Sequence, residues 1–332
     1  MEALTLGLAI ALFAVLAAEF VNGWTDAPNA IATVVSTGVM TPRAAILMAV
    51  VLNTVGAMAG TAVATTVGKG IVEPSALTLP SITATMIAIV AWGSFAAKVG
   101  LPVSKSHALL AGLAGAAFAG GGLAALQTSG WQKVGIGILA SIVLGSLIAL
   151  LIGKLIVRLA SDAPPARAKR IFDRLQMLSA GFMAFNHGLN DGQKFMGVFA
   201  MTLLAGGATT EFSIPTWVIV ICALTMGIGT SAGGWRIIET VGVKMARLTS
   251  WQGFAATAAA SGTIFGASIY GIPLSTTHTI TSAIVGVGAA RRWSDVRWRV
   301  LARVVLAWVI TFPACATLAY FAALFANAMW SV

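Results

Sequence analysis

The sequence predicts an all-α polytopic membrane protein: two inverted-topology repeats with broken or re-entrant helices, roughly 10–12 membrane segments in all. Three observations predict it. The 332 residues are 58% hydrophobic and 9% charged, with a mean hydropathy of +0.92, whereas a soluble domain carries about 25% charged residues. Two polar, glycine-bearing stretches interrupt apolar sequence: Asn22-Gly23-Trp24-Thr25-Asp26-Ala27-Pro28-Asn29 and Asn186-His187-Gly188-Leu189-Asn190-Asp191-Gly192-Gln193-Lys194. Superposing Gly23 on Gly188 places Asp26 on Asp191, Thr25 on Asn190 and Asn29 on Lys194. An apolar helix interrupted twice in one pattern points to two related halves.

The elements follow in order. Residues 3–21 are apolar with Glu19 inside, and the polar break at 22–29 leads to a second apolar piece at 30–40. Together they exceed the ~20 residues of one crossing, so a broken or re-entrant element is expected. Thr41-Pro42-Arg43 reads as a turn and helix start. Residues 44–67 form the next helix, interrupted only by Asn53, and 69–80 a loop. A helix over 81–99 runs into Leu101-Pro102-Val103-Ser104-Lys105-Ser106-His107 and the small-residue run 108–122. Residues 130–157 close the first repeat, 1–157. The stretch 158–174, with Arg158, Arg167, Lys169, Arg170 and Arg174, reads as a basic cytoplasmic linker.

The second repeat, 175–332, carries the central break within 175–205, then a helix over 217–233 and a basic loop with Arg236, Lys244 and Arg247. Residues 254–270 lead to Pro273-Leu274-Ser275-Thr276-Thr277-His278. The segment 280–288 ends at Arg291, Arg292, Arg297, Arg299 and Arg303, and 304–328 is the last helix. The basic loops set the orientation in the cytoplasmic membrane, with the N-terminus outside. The formal charge of +10 resides in these short loops, which excludes a nucleic-acid partner in favour of the lipid bilayer. Cys222 and Cys315 lie in apolar runs and read as small buried residues. No basic region or cleavage site precedes the first apolar run, so no removable signal peptide is expected.

Two further motifs repeat in the same order. One is P-x-S-x-[ST]-H, at Pro102–His107 and Pro273–His278. The other pairs Asn53-Thr54-Val55-Gly56 with Glu239-Thr240-Val241-Gly242. A helix interrupted at membrane depth exposes backbone N–H groups where its second piece begins, and these, with the helix dipole, attract anions. Proline suits that first turn. The hydroxyls of Ser104, Ser106, Ser275, Thr276 and Thr277 add donors, so two half-sites can cradle a small tetrahedral oxyanion. Asp26 and Asp191 fit an anion that carries protons, or one that travels with a cation. Unprotonated sulfate would leave these acceptors unpaired. Set against this, Asp26 and Asp191 can cap half-helices, His107 and His278 can bond neighbouring helices, and Glu239 can snorkel into a salt bridge. Glu19 can pair with a lysine. No H-E-x-x-H motif or nucleophile–base pair marks an enzyme, and the clustering of polar residues in two breaks speaks against a continuous channel.

On these motifs the chain resembles the inorganic phosphate transporter (PiT) family. The N-D-type signatures match at Gly23–Ala30 and His187–Asp191, and both P-x-S-x-[ST]-H segments are present. Residues 235–242 with Gly253-Phe254-Ala255-Ala256 are similar to the family's second-half signature. The resemblance spans about residues 20–310. It implies an inverted-repeat fold and symport of inorganic phosphate with protons or sodium ions, without a cofactor. Substrate positions are then Asp26, Asn29, Ser104, Lys105, Ser106, Asn190, Asp191, Lys194, Ser275, Thr276 and Thr277; coupling-ion positions are Asn22, Asp26, Asp191 and Glu239. A second copy of the chain is a candidate partner. The departures are Lys194 for Asn, Thr25 for Asn, Asn53 for Glu, and Lys105 for a small residue. Lys194 sits three residues after Asp191, about one helical turn, so its ammonium can fill charge space that a sodium ion would occupy. Proton coupling is therefore expected, with sodium-coupled phosphate symport and sulfate permeation as the alternatives and an anion channel behind them.

Overall fold

The computed structural model describes residues 5–160, 164–245, 248–291, 293 and 296–330. Arg247 and Arg292 lie outside the described residues, as do the side chains of Arg291 and Trp330. Among the described residues the chain is helical, apart from one isolated bridge between Val72 and Leu126. The first half runs α1 (Leu6–Ser36), α2 (Pro42–Met58), α3 (Ala62–Gly70), α4 (Leu79–Val99), α5 (Lys105–Gly121) and α6 (Thr128–Leu159). The second runs α7 (Pro165–His187), a π turn (Gly188–Gly192), α8 (Gln193–Ala205), α9 (Thr216–Ser231), α10 (Trp235–Glu239), a second π turn (Thr240–Lys244), α11 (Ser250–Ile269), α12 (Thr276–Arg291) and α13 (Trp298–Trp330). Long helix, bent pair, two shorter helices and long helix thus occur twice. The basic stretch expected as a linker is mostly the opening turns of α7, because Pro165 at the first helical position starts a helix there.

Among the described residues five helices (α1, α4, α5 continued to Ala125, α6 and α13) are long and apolar enough to cross a bilayer, and the bent pairs α2–α3 and α9–α10, each turned by 66°, raise the number to seven. Adding the shorter or more polar α7–α8, α11 and α12 reaches the lower end of the expected ten to twelve. The outer faces of α6 and α13 expose Leu139, Val143, Leu147, Leu151, Val309 and Phe325, the apolar surface a bilayer covers. Helix ends follow local chemistry: Thr41 Oγ1 accepts from the Ala44 amide (3.4 Å), Thr78 and Ser81 form a reciprocal capping box, and Gly100 closes α4 with φ +72°.

The breaks fall in different places from those the polar stretches predict. α1 passes unbroken through 22–29, with Pro28 inside it. Neighbouring helices re-satisfy or cover the backbone groups that an intramembrane proline frees. Here Gly234, in the left-handed region at φ +59°, packs so tightly on Trp24 O and Pro28 that a Cβ would lie 2.8 Å from that oxygen. The second polar stretch is a π turn that runs directly from α7 into α8 rather than an open break. The interruptions that free helix N-termini instead lie at 100–104 and 271–275, where α5 and α12 begin.

The two halves interlock. α6 lies along α12, α13 along α5, α1 against α9 and α3 against α8. A Cβ on Gly23 would meet Met226 O of α9 at 2.3 Å, and one on Gly188 would meet Asn53 O of α2 at 2.0 Å, so both polar stretches touch the other half's bent pair backbone to backbone. The same test corrects the third repeated motif. A Cβ on Gly242 would sit 2.6 Å from Ala32 O, and one on Gly68 2.7 Å from Gly197 O. Ala32 and Gly197 correspond in the register that superposes Gly23 on Gly188. Thr65-Thr66-Val67-Gly68 is therefore the counterpart of Glu239-Thr240-Val241-Gly242, and Asn53-Thr54-Val55-Gly56 is not.

Candidate functional site

Ser104 and Ser275 cap α5 and α12, their Oγ atoms accepting from the amides of His107 and His278 at 3.2 Å each. The two caps meet, with Ser275 Oγ donating to Ser104 Oγ over 2.8 Å. Two helix N-termini from opposite halves thus converge at one point, and their leading amides and dipoles favour negative charge there. Both serine hydroxyls are committed to this junction, so they position the site rather than line it.

Around the junction stand two carboxylates and two ammonium groups, Asp26, Asp191, Lys105 and Lys194, all between 1% and 3% exposed. Lys105 Nζ lies 3.8 Å from Asp26 Oδ1. Lys194 bonds to Asp191 Oδ1 and reaches Ser106 Oγ and Leu274 O at 2.5 Å each. The arrangement is quasi-symmetric. Thr276 Oγ1 donates to Asp191 Oδ2 (2.5 Å), in the place where Lys105 faces Asp26. Ser106 Oγ donates to Asp191 Oδ1 over 3.5 Å, as Thr277 Oγ1 does to Asp26 Oδ2. Asn29 Nδ2 donates to Thr276 Oγ1 (3.2 Å) and Thr277 Oγ1 (3.0 Å), mirroring the bond from Lys194 to Ser106. Each half-site holds one anion and one cation, but the cations come from non-equivalent positions. Buried charges persist when paired and hydrogen-bonded in this way.

Of the sequence-derived positions, Asp26, Asn29, Lys105, Ser106, Asp191, Lys194, Thr276 and Thr277 come together. Asn190 is buried but turned aside, tying the π turn to α11 through Ser268 Oγ (2.8 Å) and to the connection after it through Ile272 O (3.3 Å). Asn22 faces Glu19 rather than the carboxylate pairs. Glu239 is a correction: its side chain is 56% exposed and paired with Lys244 at 3.1 Å, because α10 presents it outward while Ile237 and Ile238 face in. It is no part of the buried cluster.

Two residues without an assigned role belong here. His187 Nε2 lies 3.1 Å from Asp191 Oδ2, and its Nδ1 lies 3.3 Å from Asn53 Oδ1. Asn53 in turn donates to Thr230 Oγ1 (3.0 Å). The i,i+4 spacing of His187 and Asp191 was the available signal; Asn53 stood out as an interruption of its apolar helix, but nothing local paired it with His187. Ligand atoms of Asp26, His187 and Asp191 lie within 4.8 Å of one another, a spacing that suits a small cation, though the Lys194 ammonium already rests on Asp191. The rings of His107 and His278 lie 4.4 Å apart, tilted by 56°, and His278 stacks on Trp308 at 3.7 Å.

A helical membrane protein whose halves meet in an occluded, charge-balanced cradle has the architecture of a secondary transporter. The comparisons agree. The profile described as the phosphate transporter family matches residues 22–319. Over 312 residues the chain is 39% identical to a probable low-affinity inorganic phosphate transporter of Bacillus subtilis, covering 92% of this chain and 94% of the relative. A relative of the same description from Rhizobium meliloti is 41% identical over 321 residues, covering 95% of each. The solved structure titled "The sodium-dependent phosphate transporter" superposes with a TM-score of 0.88 over 98% of this chain and 100% of that one, at 24% identity. This chain belongs to the phosphate transporter family, and is a multi-pass membrane protein.

Proposed function

We propose that this chain is a symporter carrying inorganic phosphate across the cytoplasmic membrane with protons. The carrying observation is the meeting of two helix N-termini over two carboxylate–ammonium pairs. Dihydrogen phosphate offers both kinds of group that this cradle answers. Its charged oxygens accept from Lys105, Lys194, Ser106, Thr276, Thr277 and Asn29, and its P–OH groups donate to Asp26 and Asp191. Sulfate lacks those donors and would leave buried acceptors unpaired. The names of the Bacillus and Rhizobium relatives support phosphate as substrate. The same reading divides the chain into repeats 1–157 and 175–332 about the basic stretch 158–174, with Ser104 and Ser275 on the pseudo-axis.

Proton coupling rests on Lys194. Its ammonium, already bonded to Asp191, occupies the position a coupling sodium ion would need, and a second fixed cation, Lys105, faces Asp26. The test is labelled phosphate uptake into liposomes at fixed membrane potential, with either a pH or a sodium gradient imposed. Uptake is expected to follow the pH gradient and to resist competing sulfate. Uptake that follows sodium and ignores pH rejects the coupling; uptake of sulfate in preference to phosphate rejects the substrate.

A further inference from the structure

Glu19 is buried in α1 with 0% exposure, and its Oε1 has no hydrogen-bond partner. Asn22, one turn along the same helix, is 1% exposed, and its Oδ1 also lacks a partner. The only bond between the two runs from Asn22 Nδ2 to Glu19 Oε2 at 3.5 Å. Two adjacent buried acceptors without a donor are costly, and native structures rarely leave them so. A lysine ion pair for Glu19, one reading the sequence allows, is absent among the described residues. Lys194, the one lysine whose charge acts on Glu19, is spent on Asp191, Ser106 and Leu274 O.

We propose that Glu19 is the residue that carries the coupled proton, bound on its carboxylate and shared with Asn22. This rests on the phosphate–proton symport reading. One proton turns Glu19 from acceptor into donor and supplies the hydrogen bond this pair lacks. A sodium ion is a poorer occupant, because these two oxygens fall well short of the oxygen shell a hard cation requires. No bond to carbon or phosphorus is made or broken: a proton moves from water to the Glu19 carboxylate on one side of the membrane and returns to water on the other.

The placement supplies the coupling. Glu19, Asn22, Asp26 and Asn29 recur at three- and four-residue intervals and so line one face of α1, with the substrate cradle at the far end. Among the described residues, the charged and titratable groups close enough to act on Glu19 electrostatically are Asp191 of the π turn, Lys194 of α8 and Cys222 of α9. Phosphate entering the cradle adds negative charge beside Asp191 and Lys194, which favours a proton on Glu19. By linkage, the proton favours phosphate to the same degree. Among the described residues Glu19 has no hydrogen bond or ion pair to the cradle's hydroxyls or lysines, its side chain bonding only Asn22, so removing its charge should uncouple transport without removing the binding site.

The experiment compares two readouts in proteoliposomes: phosphate accumulation driven by a pH gradient, and phosphate–phosphate exchange with no gradient. Glu19→Gln keeps the size and removes the titration. It is expected to lose gradient-driven accumulation and to retain exchange within about twofold of wild type. Accumulation at the wild-type level in Glu19→Gln overturns the proposal, as does loss of exchange in well-folded protein. If Glu19→Gln does not insert, Glu19→Asp decides: a displaced pH profile of accumulation supports the proposal and an unchanged one overturns it. A wild-type protein that shows no phosphate exchange would instead fail the transport reading itself, a result distinguishable from any of these.

Discussion

Lys194→Asn is the most informative substitution, because it installs at position 194 the residue that the other half carries at Asn29. The buried Lys194 ammonium holds Asp191 Oδ1, Ser106 Oγ and Leu274 O. Breaking a buried ion pair outright costs about 3–5 kcal/mol. The amide moderates this loss, since Asn29 shows that an Asn in the equivalent place bonds the neighbouring hydroxyls at 3.0 and 3.2 Å. Asp191 keeps Thr276 Oγ1 at 2.5 Å and His187 at 3.1 Å, so the fold should survive. In the proposed binding mode phosphate loses one charge-assisted hydrogen bond, about 1.5–3 kcal/mol. At about 1.4 kcal/mol per tenfold, phosphate binding should weaken roughly 10- to 150-fold. The freed carboxylate should also accept a sodium ion, so uptake by the variant should acquire a sodium response that the proposed proton coupling denies the wild type. The assay is concentration-dependent uptake into liposomes, with pH and sodium gradients imposed separately. Wild-type affinity together with continued indifference to sodium would refute the argument that this ammonium stands in a cation's place.

Three other outcomes follow from the geometry. Asp26→Asn and Asp191→Asn should each abolish phosphate uptake while leaving membrane insertion intact, and normal uptake by either variant discards the paired-carboxylate site. Thr276→Val and Thr277→Val remove hydroxyls that bond Asp191, Asn29 and Asp26; each should weaken phosphate binding by about 1–3 kcal/mol, read by titration calorimetry in detergent. Gly56→Ala places a Cβ 1.9 Å from Phe185 O, where α2 meets α7 backbone to backbone; strain of about 1–3 kcal/mol should appear as a lower melting temperature in a thermal-shift measurement.

Membrane class, the pairing of Asp26 with Asp191, and the two P-x-S-x-[ST]-H segments were legible in the linear chain. Hydropathy, motif spacing and proline-first helix starts are local properties. The same locality explains what went unseen. Polar residues in an apolar run look like a broken helix, yet α1 continues through Asp26 and Pro28 because Gly234 from the other half packs against the backbone that the proline disturbs. The repeat register of Glu239-Thr240-Val241-Gly242 could not be settled by motif matching, since only the packing of Gly242 on Ala32 and of Gly68 on Gly197 identifies the equivalent turn. Glu239 reads from sequence either as a coupling-ion ligand or as a snorkelling salt bridge, and its exposure beside Lys244 decides for the salt bridge. Lys105 facing Asp26, Ser104 meeting Ser275 and Asn53 steadying His187 all join residues from distant parts of the chain. Sequence alone determined which chemical groups enter the membrane. Which of them meet was decided by how two interlocked halves bury one another's helices, because a buried charge is stable only beside the particular partner that packing brings to it.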